Sequence, residues 1–368
     1  MSVDIMSHQM APALAESVSV RASAVSGYVP VLDGLRALSI GLVLVSHLLI
    51  FDVHPDWVYR LGIACGATGV SVFFVISGYL ITSLLLREED RAGRINLKNF
   101  YARRFLRIFP AAYTFLAVIL LLKLAGVIDV NWHSYLASLF YVRNLIGSGH
   151  ETGHLWSLSI EEQFYLLWPG LLLLLPAGKR LKAVTGIVIA VCLWRSYLVI
   201  GEKLAEGQAY NRTDLRIDTI LVGCILAFLV RTEYFSRWNE GWLRHPLVAV
   251  GSSAALALTK WFAPGIAHSE SLESTISAVF MCLLVNWFLQ NEATRIARVF
   301  QFSAVLFVGK LSYGIYLWQQ LFLGPREGGM SAFRGFPLGF ALALLAAAAS
   351  YFLLERPALR LKERYSSR

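Results

Sequence analysis

Charged residues are scarce in this chain. Asp, Glu, Lys and Arg make up 15% of its 368 residues while 57% are hydrophobic, against nearer 25% charge in an ordinary soluble domain. With a mean hydropathy of +0.58, the composition excludes a water-soluble globule and points to an integral membrane protein. Cysteine is scarce too: Cys65, Cys192, Cys224 and Cys282 each sit in an apolar stretch, without the close Cys/His spacing of a metal site, so they read as small packing residues and no metal is expected. Strict polar/apolar alternation is missing, which leaves helices as the way to satisfy the backbone in lipid. No internal repeat and no polar block large enough for a second globular domain is evident. Residues 1–30 mix Ala, Ser and Val with few charges and have no apolar core before a cleavage site, so they read as a flexible tail, not a signal peptide.

What the chain has instead is ten apolar stretches, at about 31–51, 65–86, 109–128, 162–177, 183–200, 214–230, 246–262, 273–290, 303–323 and 336–354. The fourth is the shortest. With the N-terminus cytoplasmic, 21 of the 33 Lys and Arg fall in inside segments and six in outside ones, a bias that supports ten spans with both termini inside. The expected fold is therefore all-α: a multi-pass bundle of about ten transmembrane helices forming one membrane domain over 31–356, with a basic cytoplasmic tail at 357–368. The net charge of +9 is accounted for by this topology, so nucleic acid is not an expected partner.

Polar residues inside the apolar stretches are the functional candidates. Arg36 and His47 are eleven positions apart in the first stretch, hence on nearly one helical face and about 16 Å apart along the axis. An ionisable group inside a bilayer costs roughly 2.5 to 3.5 kcal/mol on insertion scales and tends to face a cavity. The plainer alternative has Arg36 reaching the headgroups and His47 bonding a neighbouring helix. In the second stretch Gly66, Gly69, Ser71, Ser77 and Gly78 allow close approach of another helix or of a ligand. NFYARRFLRIFPAAY sets Arg103, Arg104 and Arg107 just before the third stretch; if helical, Arg104 and Arg107 share a face and suit phosphate, or else anionic headgroups. In HLWSLSIEEQFYLLWP, Glu161, Tyr165 and Trp168 fall on one stripe and Glu162 points elsewhere. On this topology Glu161 and His47 could meet, and a carboxylate-held histidine is a serviceable general base; a capping acid in an aromatic belt is the other reading. RTDLRIDTILVG puts Arg216 and Asp218 at the outer mouth of the sixth stretch, where they could line an acceptor pocket, and Arg195 lies deep in an apolar run with no partner legible.

Taken together, the Arg36 to His47 spacing, GVSVFFVISGYLI, RFLR, LWSLSIEEQFYLLWP, LRIDTILVG, LSYGIYLWQ and the closing LLERP resemble the integral-membrane acyltransferase family called acyltransferase 3, over residues 30–360. The resemblance implies O-acylation, commonly acetylation, of sugars in polysaccharides, lipopolysaccharides, lipo-oligosaccharides or macrolides. It implies acyl-CoA as co-substrate, with no permanently bound cofactor, and a bacterial inner membrane as the location. Carried onto matching positions, His47 is the essential histidine, Arg36 its partner arginine, and Arg104 and Arg107 the paired arginines of the donor site. The expected site is thus catalytic His47 and Glu161; donor-binding Arg36, Ser77, Gly78, Arg103, Arg104 and Arg107; and acceptor-binding Trp156, Tyr165, Arg216 and Asp218. Its partners are acyl-CoA, a carbohydrate or glycolipid acceptor and the lipid bilayer. Some relatives add a further span and an SGNH-type domain; a stand-alone form is expected here. Direct transfer and an acyl-histidine relay both remain open. A proton-coupled transporter would show interrupted segments in two matching halves, which are not found, and a scaffold would not explain the polar face of the first helix.

Overall fold

The computed structural model describes residues 29–51, 55–204, 208–262 and 270–362. Most of the expected N-terminal tail, most of the 263–272 loop and the end of the basic tail lie outside the described residues. Among those described, every regular element is helical. Ten long helices correspond to the ten apolar stretches: α1 Pro30–Ile50, α2 Asp56–Ala92, α3 Leu97–Leu124, α4 Leu155–Leu174, α5 Arg180–Ile200, α6 Thr213–Leu229, α7 Pro246–Phe262, α8 Glu270–Gln290, α9 Ser303–Phe322 and α10 Leu338–Ser350, the last continued by a π turn, Tyr351–Glu355, and the helix Arg356–Lys362.

Several helices run past their apolar stretch, and for α2 and α3 polar capping or pairing accounts for it. α3 starts at residue 97, not near 109, because the Asn96 side chain accepts from the Asn99 N–H and caps the helix there. Arg103, Arg104 and Arg107 are therefore helical, and Arg104 and Arg107 project into the bundle. α2 is 37 residues long, about 55 Å, so it overshoots a hydrocarbon core of roughly 30 Å. Three successive acids at its protruding end each clamp a different segment. Glu88 takes Arg103 at 2.8 Å, Glu89 takes Arg180 and Asp90 takes Arg231, before Gly93 ends the helix with a left-handed φ of 68°.

Six helices are long and apolar enough to cross a membrane, and α7 is a shorter apolar one. The remaining three, α4, α6 and α9, are those that carry Glu161 to Gln163, Arg216 and Asp218, and Lys310, Gln319 and Gln320. Their polar residues lower their hydropathy and find partners inside the protein, as a lipid-embedded bundle requires. α2 is the axial helix, with α1 and α6 packed most extensively against it and α9 against α1.

At the α2/α6 crossing the two backbones nearly touch. A Cβ on Gly78 would lie 1.9 Å from the Ile220 carbonyl oxygen, and one on Gly223 would lie 2.1 Å from that of Val75. Gly78 was expected in the donor site; the structure corrects this, since its missing side chain makes room for a helix. Gly78→Val should therefore force the axial helices apart and cost at least about 1–3 kcal/mol. The check is monodispersity and thermal stability of the purified variant, with Gly41→Ala, where a Cβ meets nothing within 4 Å, as the neutral control.

Candidate active site

Five helices surround a narrow cavity of about 80 Å³, with Arg36 from α1, Ser77 from α2, Arg104 and Arg107 from α3, Glu161 and Tyr165 from α4, and Tyr313 and Tyr316 from α9 on its walls. A wider cavity of about 430 Å³ adjoins it toward the end where α1, α3 and α9 begin, and Arg36, Arg104, Arg107 and Tyr313 line both. Asp33, Lys310 and Glu355 complete the wider mouth. The three arginines thus stand where a broad polar vestibule narrows into the bundle.

Inside the narrow part the polar groups form a short chain. Tyr165 donates to Ser77 Oγ at 3.1 Å, and Ser77 donates to Glu161 Oε1 at 2.6 Å. The Arg104 guanidinium lies between the rings of Phe100, at 5.8 Å, and Tyr165, at 5.5 Å, while its Nε is buried without a hydrogen-bond partner among the described residues. Arg36 is held by Asp33 at 3.3 Å, one turn earlier on the same helix. Three guanidiniums converging on one space are chemically suited to an anion, because planar donor forks in a low-dielectric setting favour phosphate or carboxylate.

His47 stands apart from this group, at the other end of α1. Its Nδ1 bonds to the Val43 carbonyl oxygen at 2.9 Å, and since a carbonyl only accepts, that nitrogen carries the proton and Nε2 holds the free lone pair. The ring lies 5.8 Å from Phe51, which meets His150 edge-on at 4.8 Å. Glu161 does not meet His47: it is bonded to Ser77 at the cavity wall, and the imidazole tautomer is set by a backbone carbonyl instead. α4 begins at residue 155, so Glu161 lies about 9 Å along the helix from that end, on the side of the arginines.

Other expected site residues are redistributed. Arg103 is tied to Glu88 at 2.8 Å, and the same carboxylate accepts from the Asn96 N–H, so it braces the α2/α3 turn and does not line the cavity. Tyr165, expected on the acceptor side, stands with the arginines. Asp218 is fully buried and paired to Arg195 at 3.0 Å and to Thr275 at 2.6 Å; this supplies the partner of Arg195 and takes Asp218 out of an acceptor pocket. Arg216 donates to Ser71 at 2.7 Å and stacks on Tyr210 at 4.8 Å, and Tyr210 in turn meets Trp156 at 4.8 Å. Trp156 and Arg216 therefore share one cluster behind Phe74.

The family model described as Acyltransferase domain matches residues 29–356. The chain belongs to this acyltransferase family. Among similar proteins, one from Staphylococcus aureus (strain COL), provisionally named an O-acetyltransferase, is 34% identical over 318 residues, covering 79% of this chain and 50% of its own length. The peptidoglycan O-acetyltransferase OatA of Listeria monocytogenes serovar 1/2a is 31% identical, with 79% and 49% covered. The O-acetyltransferase OatA of Staphylococcus aureus (strain NCTC 8325 / PS 47) is likewise 31% identical, with 79% and 50% covered. The chain spans about half the length of these relatives. No solved structure matches it.

The cavity is also lined by residues that spacing alone did not single out. Tyr316 donates to the His154 carbonyl at 2.8 Å and contacts Ser157 Oγ at 2.5 Å; Tyr313 donates to the Ile108 carbonyl at 2.9 Å. Ser312, Tyr313 and Tyr316 come from LSYGIYLWQ, whose polar stripe within an apolar helix was the available signal.

Two outcomes follow from this geometry. Arg195→Met or Asp218→Leu alone strands a buried charge and should destabilise by about 3–5 kcal/mol, whereas the double variant should recover most of that loss. Thermal unfolding in detergent measures it, and a folded double variant that has lost acceptor affinity would return Asp218 to the acceptor site. The second concerns the loop residue His150, which donates from Nε2 to the Gln320 carbonyl at 2.9 Å and accepts at Nδ1 from the Gln320 amide at 3.2 Å. Only the neutral ring can do both. Burial, helped by Arg334 and His47 and opposed by the Gln320 carbonyl, holds its pKa down to about 4. A depressed folded-state pKa means stability fully present above pH 6.5 and lost as pH falls from there through about 4. Unfolding temperatures across pH 7 to 4 should show that decline, and His150→Asn should flatten it.

Proposed function

We propose that this chain is an O-acyltransferase that moves an acyl group, most simply acetyl, from acyl-CoA to a hydroxyl of a carbohydrate in the cell envelope. The observation that carries the reading is the shared wall of the two cavities: Arg36, Arg104 and Arg107 line both. A polyanionic head on a thin arm fits that shape, its phosphates on the guanidiniums and its arm inside the bundle. The names of the relatives, which include peptidoglycan O-acetylation for the Listeria protein, support acetyl as the group and an envelope glycan as the acceptor. An exopolysaccharide, lipopolysaccharide or lipo-oligosaccharide has the same hydroxyl chemistry.

In this mechanism His47 Nε2 takes the proton of the acceptor hydroxyl as its oxygen attacks the thioester carbonyl. The tetrahedral intermediate then collapses, the C–S bond breaks, and the thiolate leaves and takes the proton back from the imidazolium. Atoms and charge balance with one imidazole acting as base and then acid. The Val43 carbonyl keeps Nε2 as the basic nitrogen throughout.

The direct test is turnover of radiolabelled acetyl-CoA by purified protein with envelope glycan fragments. His47→Gln keeps hydrogen bonding but removes the base, and should lower kcat by about a hundredfold or more with donor affinity little changed. Arg104→Ala and Arg107→Ala should each weaken CoA binding by about tenfold or more, and Lys should restore only part because a point charge does not reproduce the fork. Unchanged CoA affinity in all four arginine variants would leave the guanidiniums without a donor role.

A further inference from the structure

Gln319 is buried at 0% exposure, and neither its Oε1 nor its Nε2 has a hydrogen-bond partner among the described residues. A primary amide left empty on both atoms in a bundle interior is a standing penalty, since burial removes its water without supplying another partner. Its position says what could satisfy it. Ser312, Tyr316 and Gln319 fall at i, i+4 and i+7 on α9, so they share a face, and the first two line the narrow cavity. Gln319 continues that wall one turn beyond it. On the facing element His154 is 4% exposed, its ring 5.5 Å from that of Tyr316 and one edge toward the Leu317 carbonyl, yet neither ring nitrogen makes a well-formed hydrogen bond.

Depth along the bundle follows from helix register. α1 and α9 run in the same direction: Gly309 abuts the Asp33 carbonyl, and His150 sits between Phe51 at the end of α1 and Gln320 and Gly324 at the end of α9. Counting from the Gly309 contact, Ser312 is level with Arg36, and Gln319 with Val43, the residue that holds His47. Gln319 is therefore about 10 Å beyond the level of Arg36 and about 6 Å short of His47.

Those spacings match an acyl-CoA arm. From its sulfur to the nearer phosphorus is about thirteen bonds, which at roughly 1.15 Å per bond in an extended chain spans about 15 Å; the rise from Arg36 to His47 is about 16 Å. With the thioester at His47 the phosphorus reaches Arg36, and the amide nearest the sulfur, about 5 Å from it, reaches the level of Gln319. We propose that Gln319 is a donor-recognition residue that hydrogen-bonds the amide nearest the sulfur of the acyl-CoA arm. The proposal rests on acyl-CoA being the donor.

The experiment compares Gln319→Leu with wild type on two donors: acetyl-CoA, and an analogue in which that amide is replaced by two methylenes. Wild type should lose about tenfold or more in kcat/KM on the analogue, by loss of one or two buried hydrogen bonds. Gln319→Leu should lose about as much on acetyl-CoA and show no further loss on the analogue, with the acceptor KM unchanged. Its unfolding temperature without substrates should equal or exceed that of wild type, because an unsatisfied amide has been replaced by a hydrocarbon of similar size; a purely structural Gln would show a fall. Wild-type kcat/KM in the variant, an analogue penalty that persists in it, a shift in acceptor KM, or a drop in stability would each overturn the proposal. A wild-type protein that does not turn over acetyl-CoA would instead remove the donor reading, and this assignment with it.

Discussion

A carboxyl group at the depth of Glu161 can be kept inside a membrane bundle only if neighbouring helices supply its partners, and that requirement governs how α2, α3 and α4 stand to one another. Ser77 reaches it from the axial helix, Tyr165 supports Ser77 from one turn away on α4, and Arg104 lies against the Tyr165 ring from α3. Remove any of these helices and the others expose a polar group to lipid. The glycine crossing of α2 and α6 serves the same end, because it brings the axial helix into backbone contact with the helix that carries Arg216 and Asp218 and leaves little space for lipid between them. The bundle is held as much by the need to enclose its polar residues as by apolar packing, since lipid tails offer apolar side chains nearly the same environment as other helices do.

The polar residues divide into two systems with different physical status. Arg195, Asp218 and Thr275 close on one another, with Arg195 and Asp218 at 0% side-chain exposure. A pair so enclosed stabilises mainly in the sense that breaking it is expensive. The arginines around the narrow cavity are the opposite case: Arg36 has Asp33 at 3.3 Å, Arg104 has aromatic faces, and the set converges on open volume. Positive charge arranged around space favours an anion that the protein itself does not provide.

Apolar runs made the number and order of the long helices legible, because period and length in lipid leave few alternatives. Their ends were not, since hydropathy falls at residues such as Asn96 or Glu161 whose partners come from cap geometry or from another helix. The arginine cluster was legible from the three-residue spacing of Arg104 and Arg107 and from the depth of Arg36. The separation of Glu161 from His47 was not, because it depended on where α4 begins. A small residue such as Gly78 fits a ligand or a helix equally well in sequence, and only the 1.9 Å approach of Ile220 decides. Arg195 and Asp218 are 23 positions apart on different helices, a pairing no local pattern encodes. Gln319 lay within a recognisable motif, but an empty amide is a property of the fold alone.

The distance between Arg36 and His47 then takes on a physical meaning that neither residue has singly. Both are fixed to one unbroken helix, so their separation is set by helical rise and does not change when loops move. On the proposed reading, the anion site holds one end of the donor and the basic nitrogen meets the other, so that α1 acts as a ruler for the arm between them. Such an arrangement favours the reaction through positioning: the thioester is held at the base by contacts some 16 Å away, and binding energy gathered at the phosphates is used to align the reacting carbonyl. It also separates the two substrates in space. The donor fills the channel from the arginine side, and the opposite end of α1, where His47 meets Phe51 and His150, is left for the hydroxyl. An acceptor entering there need not displace the donor, which suits a large or immobile glycan better than a small molecule sharing the donor's opening.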